Sequence, residues 1–268
     1  MKTKNIYIAL IAVFLLIAVV AGCVCIHQSR DAKTSADAFN ELEDLIAMPT
    51  ETTDAATPTV DATAPSEPEA TIDPELAEAQ AAYEKYKALY EQNNDFIGWI
   101  SIEDTNISYP VMQSVDEPDF YLKHGFDKSY SDYGVPYLDE ACATGLSNNL
   151  VIYGHNMKNG SMFYSLLNYR EQSYYDAHPV MYLNTPSQNY KIEVFSGYIC
   201  NYDSDTYALS FPSEDDYVAY QQKMKSQSDF SCNVELAPTD RVITLSTCTY
   251  EYDNARYVVQ GKLVPLDG

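Results

Sequence analysis

Thr244-Leu245-Ser246-Thr247-Cys248-Thr249-Tyr250-Glu251 sets one cysteine at the end of a β-rich run, with the guanidinium of Arg256 a few residues further on. A second stretch, Leu150-Val151-Ile152-Tyr153-Gly154-His155-Asn156-Met157, is another apolar, strand-like run, and this one ends on a histidine. A Cys/His pair far apart in sequence is the usual form of a thiol active site, because the fold and not the chain brings base and nucleophile together. These two segments point to acyl-transfer chemistry through Cys248.

Around them, short β-like segments alternate with turn residues at 96–102, 107–112, 135–138, 149–153, 180–183, 190–200, 241–247 and 256–264. Many short strands separated by turns favour a closed or nearly closed β-barrel. Two helical patterns interrupt the strands. A short one follows the histidine at 161–169, and a longer one at 213–226 opens with Ser213 before Glu214-Asp215-Asp216, a capping signal. Upstream, Asp73-Pro74-Glu75 starts an amphipathic pattern in which Leu76, Ala79, Tyr83, Tyr86, Leu89 and Tyr90 recur at helical spacing. Its apolar stripe reads as a docking face against the same domain.

Three regions follow from composition. Residues 1–30 hold an uncharged apolar run at 6–26, preceded by Lys2 and Lys4 and followed by Arg30-Asp31, long enough to cross a bilayer. The lysines lie on the N-terminal side, which keeps that end cytoplasmic and sends the remainder outside. A cleaved secretory signal is a second reading, although the run is longer than the usual apolar core of a signal. The third is a lipidated Cys23, since Val20-Ala21-Gly22-Cys23 resembles a bacterial lipobox. All three place the catalytic part outside the cytoplasm. Residues 31–75, rich in Ala, Thr, Pro, Asp and Glu, read as an extended acidic spacer with too few large apolar residues for a core. Residues 76–268 are left as the one globular domain.

The formal charge of -23 argues against nucleic acid as a partner, because affinity for a phosphate backbone comes mainly from Lys and Arg. Six cysteines in an exported chain invite a disulfide framework, yet their spacing is sparse and Cys23 and Cys25 fall in the apolar run. Cys142, Cys200 and Cys232 read as small buried hydrophobes. His27, His124 and His178 have only local surroundings, which leaves His155 as the candidate base. No His/Cys/Asp/Glu grouping shows metal-ligand spacing, so no metal and no cofactor is expected.

Leu-Ser-Thr-Cys at a strand end followed by Arg256 resembles the signature of the sortases, membrane-anchored cysteine transpeptidases of Gram-positive bacteria. Within that family the likeness is to class B. It rests on Tyr153-Gly154-His155-Asn156-Met157, on Gly160-Ser161-Met162-Phe163, on the N-terminal helix and on the helix at 213–226, and it spans roughly residues 76–268. The resemblance implies a mostly β fold, an eight-stranded sortase-type β-barrel with an N-terminal helix and a long helix in the connection before the cysteine strand. It implies His155, Cys248 and Arg256 as the catalytic triad and no cofactor. The implied substrate is the sorting signal of a secreted protein, cut after Thr. The implied acceptor is an amine of a cell-wall precursor cross-bridge on lipid II. For substrate contacts it points to the connection at 202–211, with Thr206 and Tyr207; Ser246 and Thr247 beside the cysteine are further candidates, and Thr249 is given no role.

Each residue has a plainer reading: Cys248 as a packed core thiol, Arg256 as a surface ion pair, His155 as a turn histidine. Competing functions are a pilin-polymerising sortase, an L,D-transpeptidase and a non-catalytic surface binding module that keeps the barrel. The usual Ser-x-Gly-Cys-x-Arg pattern of the L,D-transpeptidase is replaced here by Ser246-Thr247-Cys248-Thr249.

Overall fold

The computed structural model describes residues 2–47, 84 and 86–266, with the side chains of the first helix from residue 13 onward. Eight strands close into a barrel in the order β1-β2-β3-β4-β7-β8-β6-β5. They are β1 (Phe96–Ser101), β2 (Ser108–Met112), β3 (Tyr137–Leu138), β4 (Asn149–Tyr153), β5 (Val180–Asn184), β6 (Asn189–Asn201), β7 (Val242–Cys248) and β8 (Ala255–Pro265). All eight expected strands are present, and β4 has the expected bounds. The pairs β2/β3 and β4/β7 are parallel, and the remaining pairs are antiparallel.

Side chains alternate across the barrel wall, as the pleat requires. Ile243 and Leu245 of β7 and Tyr257 and Val259 of β8 join the core with Ile100, Ile152 and Phe163. Val242 and Val258 point outward and pack with Phe195, Tyr198, Tyr217, Tyr220 and Met224 beneath α4 (Glu214–Ser226). That helix begins as its sequence indicates, with the Ser213 hydroxyl accepting from the Asp216 backbone N–H. The stretch expected as a short helix at 161–169 is a 3-10 segment, Phe163–Arg170, and it leads into a six-residue helix, α3 (Gln172–Ala177), that the pattern did not announce.

The N-terminal helix differs most from expectation. α1 (Lys2–Ala47) runs past the apolar stretch without a break, so residues 31–47 are helical and not extended spacer. The physical reason is local. Neither proline nor glycine occurs between Gly22 and Pro49, and Phe39, Leu42, Leu45 and Ile46 form a stripe at helical spacing. Composition averaged over 31–75 hid this by mixing the helix-forming part with the Pro/Thr-rich part. The rest of the expected spacer, 48–75, lies outside the described residues, as does the expected helix from Pro74 except at 84 and 86–92, which are helical (α2). Leu42 of α1 and Tyr86 and Leu89 of α2 are buried together against Phe96 and Trp99 of β1.

Candidate active site

The ends of β4 and β7 bring the two candidate residues together. These strands run parallel with Val151 opposite Thr244, Ile152 opposite Leu245 and Tyr153 opposite Ser246, so carrying the register two residues further sets His155 opposite Cys248. Two bonds hold the pairing beyond the strands. The Gly154 N–H donates to the Ser246 carbonyl at 3.0 Å, and the Asn156 side-chain amide donates to the Cys248 carbonyl at 2.8 Å. Arg256 is the direct cross-strand partner of Cys248 on β8, so both side chains leave the same face of the sheet. Even-numbered β7 residues from 242 to 248 face outward, which places the site on the outer wall of the barrel.

His155 is half-buried, and its Nε2 lies 2.8 Å from the Leu122 carbonyl. A carbonyl only accepts, so this contact puts the ring proton on Nε2 and leaves Nδ1 as the basic nitrogen. Burial pushes the imidazole below its ordinary value, against the opposing pull of the Leu122 carbonyl. The position of Leu122 is itself determined. It ends the 3-10 turn Phe120–Leu122, whose flanking Asp119 accepts from the Tyr137 hydroxyl at 2.6 Å. The chain then passes back over this turn at Gly134, whose φ of +57 and closeness to the Tyr121 and Leu122 carbonyls leave no room for a Cβ.

Gly154, directly before the histidine, is equally constrained. A Cβ there would meet the Phe163 ring at 2.5 Å, and Phe163 is a fully buried core residue. Gly154→Ala is therefore expected to displace His155 and lower kcat/KM for peptide cleavage by about 10²-fold, the scale of an ångström-sized misplacement. Steady-state kinetics on the alanine variant, with circular dichroism confirming the fold, checks this. Unchanged kinetics would show that the histidine loop has slack.

Burial and contacts bear on the plainer readings of Arg256 and Cys248. Arg256 is half-buried and among the described residues forms no ion pair; its Nη1 donates to the Ala255 carbonyl at 3.1 Å. Cys248 is half-exposed, in contrast to Cys142, which is buried and whose thiol is pushed up to about 11 by desolvation. All six cysteines are free. Of the other histidines, His27 pairs with Asp31 at 2.7 Å on α1, His124 contacts the Phe120 carbonyl at 2.6 Å and stacks on its ring, and His178 contacts the Tyr174 carbonyl at 3.0 Å.

The candidate substrate residues divide by face. Tyr207 and Ser246 meet, hydroxyl to hydroxyl at 2.9 Å, on the outer wall one pleat below Cys248. Tyr207 also approaches Tyr153, with ring centroids 6.0 Å apart, and its hydroxyl is 3.6 Å from the Cys200 sulfur. Thr206 is buried and spent on structure: its hydroxyl bonds Tyr198, and its carbonyl accepts from Asn149 and Tyr220. Thr247, adjacent to the cysteine in sequence, points to the opposite side of the wall, where its hydroxyl donates to the Gly154 carbonyl at 2.8 Å. Thr206, buried on the outer wall beneath α4, and Thr247, on the inner side, thus brace the site while Tyr207 and Ser246 lie on its face. A buried polar row of Asn149, Thr244, Gln260 and Tyr220 pins the connection after β6 onto this wall.

Sequence reading missed the brace on the other side of the cysteine. Arg170, at the end of the 3-10 segment, donates to the Thr249 hydroxyl at 2.9 Å and pairs with Glu251 at 2.5 Å, its guanidinium 5.0 Å above the Tyr257 ring. Hydrogen bonds from Thr249 first, and then from Arg170, hold the Glu251 carboxyl below the ordinary carboxylate range. The β7–β8 turn between Cys248 and Arg256 is thereby tied to the segment following His155. A lone arginine seventy-odd positions away offers no sequence signal for this.

An eight-stranded barrel with cysteine, histidine and arginine on its outer wall at the β4/β7 end defines a thiol acyl-transfer enzyme, and its relatives say which kind. A sequence model of the sortase domain matches residues 100–264. Sortase B of Listeria monocytogenes is 39% identical over 184 residues, covering 68% of this chain and 74% of that protein. Sortase B of Staphylococcus aureus is 29% identical over 185 residues, 68% of this chain and 75% of that protein. Among solved structures, Clostridium perfringens sortase B superposes with a TM-score of 0.63 at 34% identity, covering 66% of this chain and 98% of that one. The chain belongs to the sortase family of cysteine transpeptidases. Its relatives and neighbours place it in class B.

Proposed function

We propose that this sortase cleaves the C-terminal sorting signal of secreted proteins after a threonine and transfers the acyl group to an amine of a cell-wall precursor, with His155, Cys248 and Arg256 as its catalytic residues. The observation that carries the assignment is the parallel pairing of β4 with β7 up to Tyr153 opposite Ser246, two residues before His155 and Cys248, with the Asn156 amide on the Cys248 carbonyl and Arg256 of β8 paired with the same cysteine.

In this reading the Cys248 thiolate attacks the threonine carbonyl, forming a C–S bond as the carbonyl π pair moves to oxygen. Collapse of the tetrahedral intermediate expels the amine, which takes a proton from His155, and leaves a thioester. The acceptor amine then attacks that thioester, His155 takes the amine's proton, and the Cys248 thiolate departs. Burial disfavours the imidazolium form of His155, against the pull of the Leu122 carbonyl. The half-exposed Cys248 and the guanidinium of Arg256, without an ion pair among the described residues, on the same face suit attack on an extended peptide lying over Tyr207 and Ser246. The α1 helix, long and apolar enough to cross a bilayer, serves in this reading as the membrane anchor with the barrel outside, whether as a span or through lipidation at Cys23.

Arg256 tests the triad without touching the nucleophile. If its guanidinium makes directed hydrogen bonds to the oxyanion or a peptide carbonyl, Arg256→Ala should lower kcat by about 10²–10³-fold, the scale of one lost oxyanion donor. Arg256→Lys should recover only a small part, because a compact ammonium lacks the planar fork. Peptide-cleavage rates for both variants at low and high salt decide the matter. Lysine performing as well as arginine, with an alanine defect that shrinks in salt, would reduce Arg256 to a screened surface charge.

A further inference from the structure

Beyond its apolar run, α1 does not leave the catalytic domain; it lies along it. Phe39 meets the Tyr109 ring edge-on at 5.1 Å, and Leu42 is buried with Tyr86, Leu89 and Trp99. Glu43 accepts from the Ser108 hydroxyl at 2.8 Å, and that hydroxyl accepts from the Trp99 indole at 3.0 Å. Nearer the apolar run, the small residues Ala32, Ser35 and Ala36 share a cleft with Tyr133, Asn159 and Ser161, the last two in the loop that follows His155. His27 and Asp31 border another cleft with Tyr130 and Asp132. The end of α1 next to the apolar run therefore lies beside the catalytic end of the barrel.

We propose that α1 is a strut that seats the catalytic end of the barrel against the lipid headgroup layer, the 123–133 loop and the histidine loop facing the bilayer. The proposal rests on the reading of residues 6–26 as a bilayer span. Ala32 lies six positions beyond Ile26, a helical rise of about 9 Å. The headgroup zone of one leaflet is roughly 5–8 Å deep, so residues beside Ala32 lie at its outer boundary. Tyr130, 69% exposed at the tip of its loop, is a residue type that membrane interfaces accept readily. Charge does not create this apposition: the chain is strongly acidic, and Lys123 and Lys128 are already paired with Asp132 and Asp95. The strut does. The acidic stretch between α1 and α2 begins and ends at one apolar cluster, with Leu45 and Ile46 on one side and Tyr86 and Leu89 on the other, so its length does not set the height of the active site. An acceptor or substrate held in the membrane would then meet Cys248 close to the lipid surface.

The test uses the full chain in liposomes that contain a lipid with a nitroxide headgroup. Cys23, Cys25, Cys232 and Cys248 are replaced by serine, and a fluorophore is placed through Tyr130→Cys or, as a far-end control, through Leu146→Cys. Strong quenching at position 130 and near-background quenching at 146, both unaltered when residues 52–71 are deleted, is the expected result. Equal, weak quenching at both positions in a chain that co-floats with liposomes, or quenching that changes with the deletion, overturns the strut. Failure to co-float overturns the bilayer span, and with it the lipid surface as partner. Docking is read separately from a Glu43→Cys, Ser108→Cys pair, in a background with the other accessible cysteines replaced by serine, treated in detergent with a short bis-maleimide that spans the reach of the lost glutamate side chain: a crosslink supports a docked α1 whatever the membrane result, and no crosslink refutes it.

Discussion

Cys248→Ala is expected to abolish both peptide cleavage and transfer, by at least about 10⁴-fold, while leaving the barrel folded. The size follows from the chemistry: without the sulfur no thioester forms, and what remains is binding and electrostatics, which in other nucleophile-based enzymes leave only a small residue of activity. The fold should survive because Cys248 is the last residue of β7, half-exposed, and its backbone carbonyl still accepts from Asn156. The measurement is release of a fluorogenic sorting peptide together with thermal unfolding and mass-spectrometric trapping of the acyl-enzyme. An adduct in the wild type at Cys248 that is absent in the alanine variant meets the expectation. Retained turnover in Cys248→Ala would remove the central claim, and an adduct on Cys200, which also flanks Arg256 across the sheet, would move it.

The strands were legible because alternation and turn residues mark them locally, and β7 carried both the barrel pattern and the nucleophile. The face on which a residue lies was harder. Thr247 is next to Cys248 in sequence, yet the pleat turns it to the other side of the wall, whereas Ser246, one step further back, shares the cysteine's face. The boundary of α1 escapes a compositional reading for another reason: an average over 31–75 is dominated by the Pro/Thr-rich part, while the stripe of Phe39, Leu42, Leu45 and Ile46 needs the period and not the mean. Other parts of the site had no sequence signal at all. The acceptor for His155 is the Leu122 carbonyl, and every residue has a carbonyl. Its placement depends on Gly134, Asp119 and Tyr137, three ordinary loop and strand residues until the fold assembles them.

His155→Ala should be nearly as deep a loss, about 10²–10⁴-fold in each half-reaction, since one imidazole moves the proton in both. Residues that act as a unit are not additive, so the double variant with Cys248→Ala should be no worse than the cysteine variant alone; a much larger defect would show the two acting independently. The pH dependence follows from burial. Desolvation lowers the folded-state value below the ordinary 6.5, so the folded protein binds fewer protons than the unfolded chain in the window just below 6.5. The stability contribution of the neutral imidazole is therefore fully present above 6.5 and is lost as pH falls through the lowered folded value. Activity should share that sign. In the second half-reaction His155 is the base, so transfer from a preformed thioester should hold its rate down to below pH 6.5 and fall only beneath it. Acceptor amines of differing basicity separate this limb from the acceptor's own titration: the amine limb shifts with the acceptor, and the histidine limb does not. A fixed limb above 6.5, or none in the wild type, would mean that His155 is not the buried base that the Leu122 contact makes of it.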